Sequence, residues 1–260
     1  MTFPLPSASE ENQPGQNQRT PFPLRSGRGV RIAVIDSGVN ERHPHIVSLA
    51  GGLSIRPGGQ IEEGAYTDVL GHGTAVMAAI QDKAPQAQYF AVQVFHSSLR
   101  TSAECLVTAI EWAIEQRMDV VNLSLGTRNP DHRARFEAVI AKASKNAVVL
   151  VAAGEAEGQP CLPGSLAGVF GVGLDWETPG NLYRPEETGG GVVYFTSGYP
   201  RSLPGVPRER NLHGISFAVA NMTGFIARAC EESEAAGAAR SFETLSQVLR
   251  AEIPTSPAES

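Results

Sequence analysis

The chain has 260 residues, 42% of them hydrophobic, with 27 glycines and a formal net charge of −6. That length supports one large α/β domain or two small ones around a substantial core, and the acidic balance argues against a nucleic-acid or anionic-membrane partner, which would want a basic patch. No apolar run approaches the ~18 residues of a membrane span, and the three widely spaced cysteines, Cys105, Cys161 and Cys230, form neither a metal pattern nor a disulfide framework.

Residues 1–28 are rich in Pro, Gln, Ser and Glu without periodicity and read as a disordered arm. The arm lacks the basic start and apolar stretch of a secretion signal, so the expected compartment is the cytoplasm, with reduced thiols. Five short runs then read as buried strands, apolar on both faces: VRIAVI (30–35), YFAVQV (89–94), DVVNLSL (119–125), AVVLVAA (147–153) and VFGVG (169–173). Between them, residues 103–117 put Leu106, Ile110 and Ala113 on one helical face. Residues 131–145 do the same with Phe136, Val139, Ile140 and Ala143, with Asp131 placed to cap them. Residues 241–253 read as one more covering helix, and 254–260 as an irregular tail. Strand and helix in alternation predict a parallel sheet covered by helices, in a single domain over 29–253.

In such folds the working residues sit where strands end. Asp36 directly follows the first strand, His72 lies between glycines where a turn opens into a helix, and Ser216 stands at the start of the last long helix. Each has a plain structural alternative: a turn aspartate, a helix-start histidine, a capping serine. Together they are the acid, base and nucleophile of serine catalysis. The hydroxyl attacks only when a histidine takes its proton, and a carboxylate must hold that histidine's tautomer and stabilise its charge.

The segments AVIDSGVN, GHGTAVMAAI, VVNLSLG, VVLVAAG and GISFAVANMTG, in that order over roughly residues 29–230, resemble the motif blocks of the subtilases, the subtilisin-like serine proteases. The resemblance implies a three-layer fold, with a mostly parallel seven-stranded sheet between helices. It also implies peptide-bond hydrolysis in which Asp36 orients, His72 is base then acid, and Ser216 attacks. By the same resemblance Asp68 lines the substrate cleft near the histidine. Ser124, Leu125 and Gly126 form the edge that pairs with substrate backbone, and Ala152, Ala153 and Gly154 form the other wall of the first specificity pocket. Cys161, before LPG (162–164), resembles the turn at that pocket's base and would make its floor shallower; a plain loop cysteine is the alternative.

The departures carry equal weight. Glu155 stands where the resemblance implies an asparagine amide aimed at the oxyanion, and loss of one such donor typically costs ~10²–10³ in turnover. A glutamic acid kept neutral by burial could donate instead. Since His72 must be neutral to act as base, the two requirements conflict. They predict a slow enzyme with a narrow optimum displaced to the acid side. Ala220 and Asn221 replace a proline and a histidine of the family pattern and are read as helix packing. The run after the histidine helix is short where many members insert a calcium-binding loop, and His45 replaces an aspartate, so no metal or other cofactor is expected. The short irregular N-terminal stretch reads as an intracellular type of member without a folded prodomain. Its clusters FPLP (3–6) and PFPL (21–24) suggest either a plain tail or a segment lying in the cleft. Arg201, Arg208 and Arg210, in the loop 198–214, either rim the cleft and favour acidic side chains or are simply solvated.

The expected function is therefore a serine endopeptidase acting on a peptide or protein substrate, narrow in specificity, such as one that removes a leader peptide. The alternative is a catalytically impaired peptide-binding or scaffolding protein of the same fold. An esterase on another α/β fold is disfavoured because Ser216 is not in a G-x-S-x-G elbow.

Overall fold

Strands buried on both faces need helices on both sides, and the chain supplies them. The computed structural model describes residues 19–156, 158–202, 205–207 and 210–253. Seven strands run parallel: β1 (Arg31–Asp36), β2 (Gly51–Ile55), β4 (Gln88–Gln93), β5 (Val120–Leu123), β6 (Val149–Ala153), β9 (Val169–Leu174) and β11 (Gly191–Thr196). β3 (Ile61–Glu63) and β10 (Tyr183–Thr188) add antiparallel edges, giving the order β10-β11-β9-β6-β5-β1-β4-β2-β3. A small hairpin, β7 (Glu155–Ala156) with β8 (Gln159–Pro160), stands apart from this sheet. The expected mostly parallel seven-stranded sheet is thus present, extended by one strand at each edge.

In β1, Ile32 and Val34 face one core while Ala33 and Ile35 face the other. α1 (His72–Lys83), α4 (Ile215–Ala235) and α5 (Phe242–Glu252) cover the first face; α2 (Ala103–Glu115) and α3 (Arg133–Lys145) cover the second. α3 buries Phe136, Val139, Ile140 and Ala143, the face its periodicity marks. Its start differs from the expectation. A 3-10 turn over Pro130–His132 precedes it, and the Asn129 side chain, not that of Asp131, caps that turn by accepting from Asp131 N. Asn129 is followed directly by Pro130 at the first helical position, where its missing N–H costs nothing.

The irregular arm expected over 1–28 needs a correction at its end. Residues 1–18, with the FPLP cluster, lie outside the described residues, as do Glu157, Leu203, Pro204, Arg208, Glu209 and 254–260. Residues 20–28 are pinned to the helices. Glu231 Oε2 accepts the N–H groups of Ser26, Gly27 and Arg28 at 2.7, 2.8 and 3.1 Å. Phe22 is buried in the core, and its N–H donates to Glu252 Oε1 at 2.8 Å. The PFPL cluster therefore packs against the helices rather than lying in a cleft. No helix is long and apolar enough to cross a membrane among the described residues.

Candidate active site

Asp36 is the last residue of β1, flanked by β4 and β5, at the carboxyl edge where parallel strands present their loops. Its side chain is fully buried. Oδ1 accepts the N–H of Ser37 at 2.7 Å and faces His72 Nδ1 at 2.7 Å. A carboxylate only accepts, so Nδ1 carries the proton and Nε2 is left with a free lone pair. Burial works against a charged His72. The hydrogen bond and charge of Asp36, helped by the charge of Asp68, outweigh it, and the histidine's pKa is raised above its ordinary value. Asp36 Oδ2 is also buried and accepts no hydrogen bond among the described residues.

α1 opens at His72, directly after Gly71 at φ 79°. Gly73 lets the helix start sit on the Asp36 turn, since a Cβ there would lie 2.2 Å from Gly38 O. Asp68 supplies the rest of the clamp. Oδ1 accepts Ser37 Oγ, Leu70 N and Gly71 N at 2.9, 2.9 and 2.8 Å; Oδ2 accepts Thr74 N and Thr74 Oγ1 at 2.9 and 2.6 Å. Ser37 Oγ in turn accepts Gly73 N at 2.8 Å. Asp68 borders a cavity beside α1 that neither His72 nor Ser216 lines. Both of its oxygens are nevertheless consumed in holding the histidine's helix against the aspartate's strand.

Ser216 is not a cap. The N-cap of α4 is Gly214, at φ 141° with no side-chain cap bond, and Ser216 is the second helical residue, followed by the buried run from Phe217. Its Oγ donates to Ser124 O at 3.1 Å, and Ser124 Oγ donates to Ser216 O at 3.2 Å. Ser124 Oγ is held by Asn122 Nδ2 at 2.9 Å, and Asn122 Oδ1 accepts Thr223 Oγ1 at 2.9 Å. Asn122 and Thr223 were not singled out in the sequence; an asparagine inside an otherwise apolar buried strand was the available signal. The His72 ring lies 5.8 Å from that of Phe217, next to Ser216, while the Ser216 hydroxyl points to Ser124 O and not to the histidine.

Leu125 and Gly126 continue the chain past the end of β5, before Thr127 bridges to Leu162. Ala152 and Ala153 end β6, and Gly154 O accepts Cys161 N at 3.0 Å. Cys161 Sγ would stand 2.5 Å from a Cβ on Gly126. Both glycine segments therefore contact the segment that carries the buried cysteine. Burial pushes the Cys161 thiol's pKa up, against Arg128. Glu155 begins β7; its side chain is exposed and makes no hydrogen bond or ion pair among the described residues. Exposed in this way, it lacks the apolar enclosure that a donating glutamic acid needs.

The loop 198–214 is closed at its base by Gly214 N donating to Gly198 O at 2.8 Å. Asn221, expected to matter only for packing, donates from Nδ2 to Ser197 O and Tyr199 O at 2.8 and 3.0 Å, fixing where that loop leaves the sheet. Arg201 and Arg210 are described and Arg208 is not. Arg201, with His43, His45, Asp68 and Leu212, lines the cavity of ≈ 260 Å³ beside α1. Burial, Arg201 and His43 lower the pKa of His45. With Asp68 the single carboxylate of that lining and both its oxygens engaged, the set does not fit a calcium ion, which wants several oxygens at once.

A profile of the subtilase family matches residues 27–250. The chain belongs to the subtilase family. Over 142 residues it is 36% identical to Subtilisin E of Bacillus subtilis (strain 168), a match covering 51% of this chain and 36% of that protein. It thus spans about a third of the length of that relative. Subtilisin Savinase of Lederbergia lenta is 31% identical over 216 residues, covering 76% of this chain and 75% of that protein. Among solved structures, the prenylagaramide maturation protease PagA superposes with a TM-score of 0.63 at 22% identity, covering 89% of this chain and 86% of that one. A lanthipeptide protease gives a TM-score of 0.64 at 18% identity, covering 87% and 80%. These structures share the subtilase fold seen here.

Proposed function

We propose that this subtilase is a serine endopeptidase whose nucleophile is Ser216, with His72 as base then acid and Asp36 as its orienting carboxylate. The observation that carries the reading is the 2.7 Å contact between His72 Nδ1 and buried Asp36, which leaves Nε2 free beside the helix start that bears Ser216. For catalysis the Ser216 hydroxyl turns from Ser124 O to His72 Nε2 and attacks the scissile carbonyl. The proton passes to the imidazole, whose positive charge Asp36 stabilises, and is then given to the leaving amine. Water repeats the sequence on the acyl-enzyme. The main-chain N–H of Ser216, in the first turn of α4 where the helix leaves donors unused, meets the developing oxyanion.

Substrate backbone would lie along Ser124, Leu125 and Gly126, with a side chain entering between Gly126 and Gly154 over Cys161. The neighbours described as PagA and a lanthipeptide protease support a peptide-maturation role, removal of a leader from a particular peptide. A cytoplasmic site of action remains part of the same proposal. The raised His72 revises the expected pH dependence. The acid limb, set by His72, lies above the ordinary histidine value, so turnover is lost as pH falls through it and the optimum is neutral to alkaline.

A second reading, a peptide-binding protein with little turnover, draws on two observations. Glu155 stands in the sequence where the family resemblance implies a donor, and Ser216 Oγ is bonded to Ser124 O rather than to His72. Incubation of the wild type and Ser216→Ala with a peptide library, read by mass spectrometry, separates the two. Cleavage by the wild type alone supports the protease; binding of the same peptides by both proteins without cleavage supports the second reading.

A further inference from the structure

α1 starts with His72 and ends at Lys83, whose stem is pressed against α4. A Cβ on Gly224 would come within 2.6 Å of Lys83 Cβ. Lys83 is only 8% exposed. Its ammonium meets the Phe225 ring at 5.9 Å and Asp82 Oδ2 at 3.9 Å, and makes no hydrogen bond among the described residues. Arg228, one turn along α4, is half-buried. Its Nε and Nη1 donate to the carbonyls of Lys83 and Pro21 at 2.6 and 3.1 Å, and no described carboxylate pairs with it. Arg201 Nε reaches the same exposed Asp82 at 3.9 Å. Asp82, Lys83, Arg201, Phe225 and Arg228 all line a cavity of ≈ 470 Å³.

Lys83 and Arg201 thus share one loosely held carboxylate, and Arg228 beside them pairs with no described carboxylate. Taking an ammonium out of water costs several kcal/mol unless an opposite charge compensates it. Burial, opposed by Asp82 but reinforced by Arg228, pushes the Lys83 amine down to about 8. Burial likewise lowers Arg228. The catalytic mechanism uses none of these groups.

We propose that this cavity is a binding site for a small oxyanion of the phosphate type, held by Lys83, Arg201 and Arg228. A phosphate near neutrality carries roughly −1.5 to −2 and oxygens enough to meet several donors at once, matching the cavity's excess of positive charge. The site joins α1, α4 and the segment Pro200–Arg201, which also borders the cavity beside the start of α1. It does not depend on whether Ser216 hydrolyses peptides.

The test compares thermal midpoints of the full chain in inorganic phosphate and in chloride at equal ionic strength, for the wild type, Lys83→Met and Arg201→Gln. The expected result is a midpoint ~3 °C or more higher in phosphate for the wild type, and a gain below ~1 °C for both variants. Should Lys83→Met fail to fold, Arg201→Gln carries the comparison, because Arg201 is only half-buried. Equal gains in all the proteins would reduce the effect to general exclusion of phosphate from protein surfaces and overturn the site. So would no gain in the wild type, and an equal gain in acetate would overturn its assignment to phosphate.

Discussion

The two halves of the candidate site are built differently. On the base side, Asp36, Ser37, Asp68, Gly73 and Thr74 are tied in one network around the start of α1, and His72 is held by its Nδ1. On the nucleophile side, the helix start is anchored through Ser124 and Asn122, but Glu155, the residue proposed for the oxyanion position, is an exposed hairpin residue whose side chain no described residue holds. A base needs one proton position and one orientation, which buried hydrogen bonds fix cheaply. An oxyanion hole needs donors aimed at an atom that exists only during reaction, and the proposed reading leaves the main-chain N–H of Ser216 to supply them. The contrast predicts a well-made base working against a poor hole.

The largest break of that contrast is at the base. In Asp36→Asn an amide replaces the acceptor that fixes the His72 tautomer, and kcat should fall ~10⁴-fold with the fold retained. A loss below ~10-fold, read by steady-state peptide hydrolysis, would show that His72 is oriented by something else. Next comes the weak half. Glu155→Asn should raise kcat ~10²-fold by exchanging a repulsive carboxylate for a donor. An unchanged or lower kcat would mean that the Glu155 side chain does not face the reacting carbonyl.

Asp68→Asn separates positioning from chemistry. An amide cannot accept at all five of the present bonds, so thermal unfolding should show a loss of about 1–3 kcal/mol. Removing a negative charge that raises His72 should also move the acid limb of kcat/KM to lower pH. A limb that stays in place would leave Asp68 a purely mechanical part. The smallest effect concerns metal. Adding a calcium chelator should change the midpoint by less than ~1 °C, since a tightly bound ion would stabilise by several kcal/mol. A drop of ~10 °C would reveal a site that the His43, His45 and Arg201 environment argues against.

Much of this was legible in the residues because parallel strands buried on both faces write continuous apolar runs, and α2 and α3 write clean helical faces. The edges were harder. β2, with sequence GGLSI, starts on two glycines, and β10, with sequence YRPEET, contains a proline and four polar residues, as an exposed edge strand does. Residues 20–28 carry no periodicity because they are fixed by main-chain N–H groups, Phe22 donating to Glu252 and Ser26, Gly27 and Arg28 to Glu231, acceptors more than 200 positions away. The triad candidates stood at strand ends and helix starts, where sequence can place them. That Asp68 clamps α1, that Asn221 fixes the loop 198–214, and that Asn122 supports Ser124 depend on partners that no local pattern announces.

The central claim, that Ser216 is a nucleophile activated through His72 and Asp36, is tested most directly by the rate at which a fluorophosphonate probe modifies the protein as a function of pH. The account predicts labelling at Ser216 alone, absent in Ser216→Ala. The rate should rise with pH through a single ionisation above the ordinary histidine value, and Asp36→Asn should lower the whole curve. Labelling elsewhere, no labelling, or a rate indifferent to both pH and Asp36→Asn would contradict it.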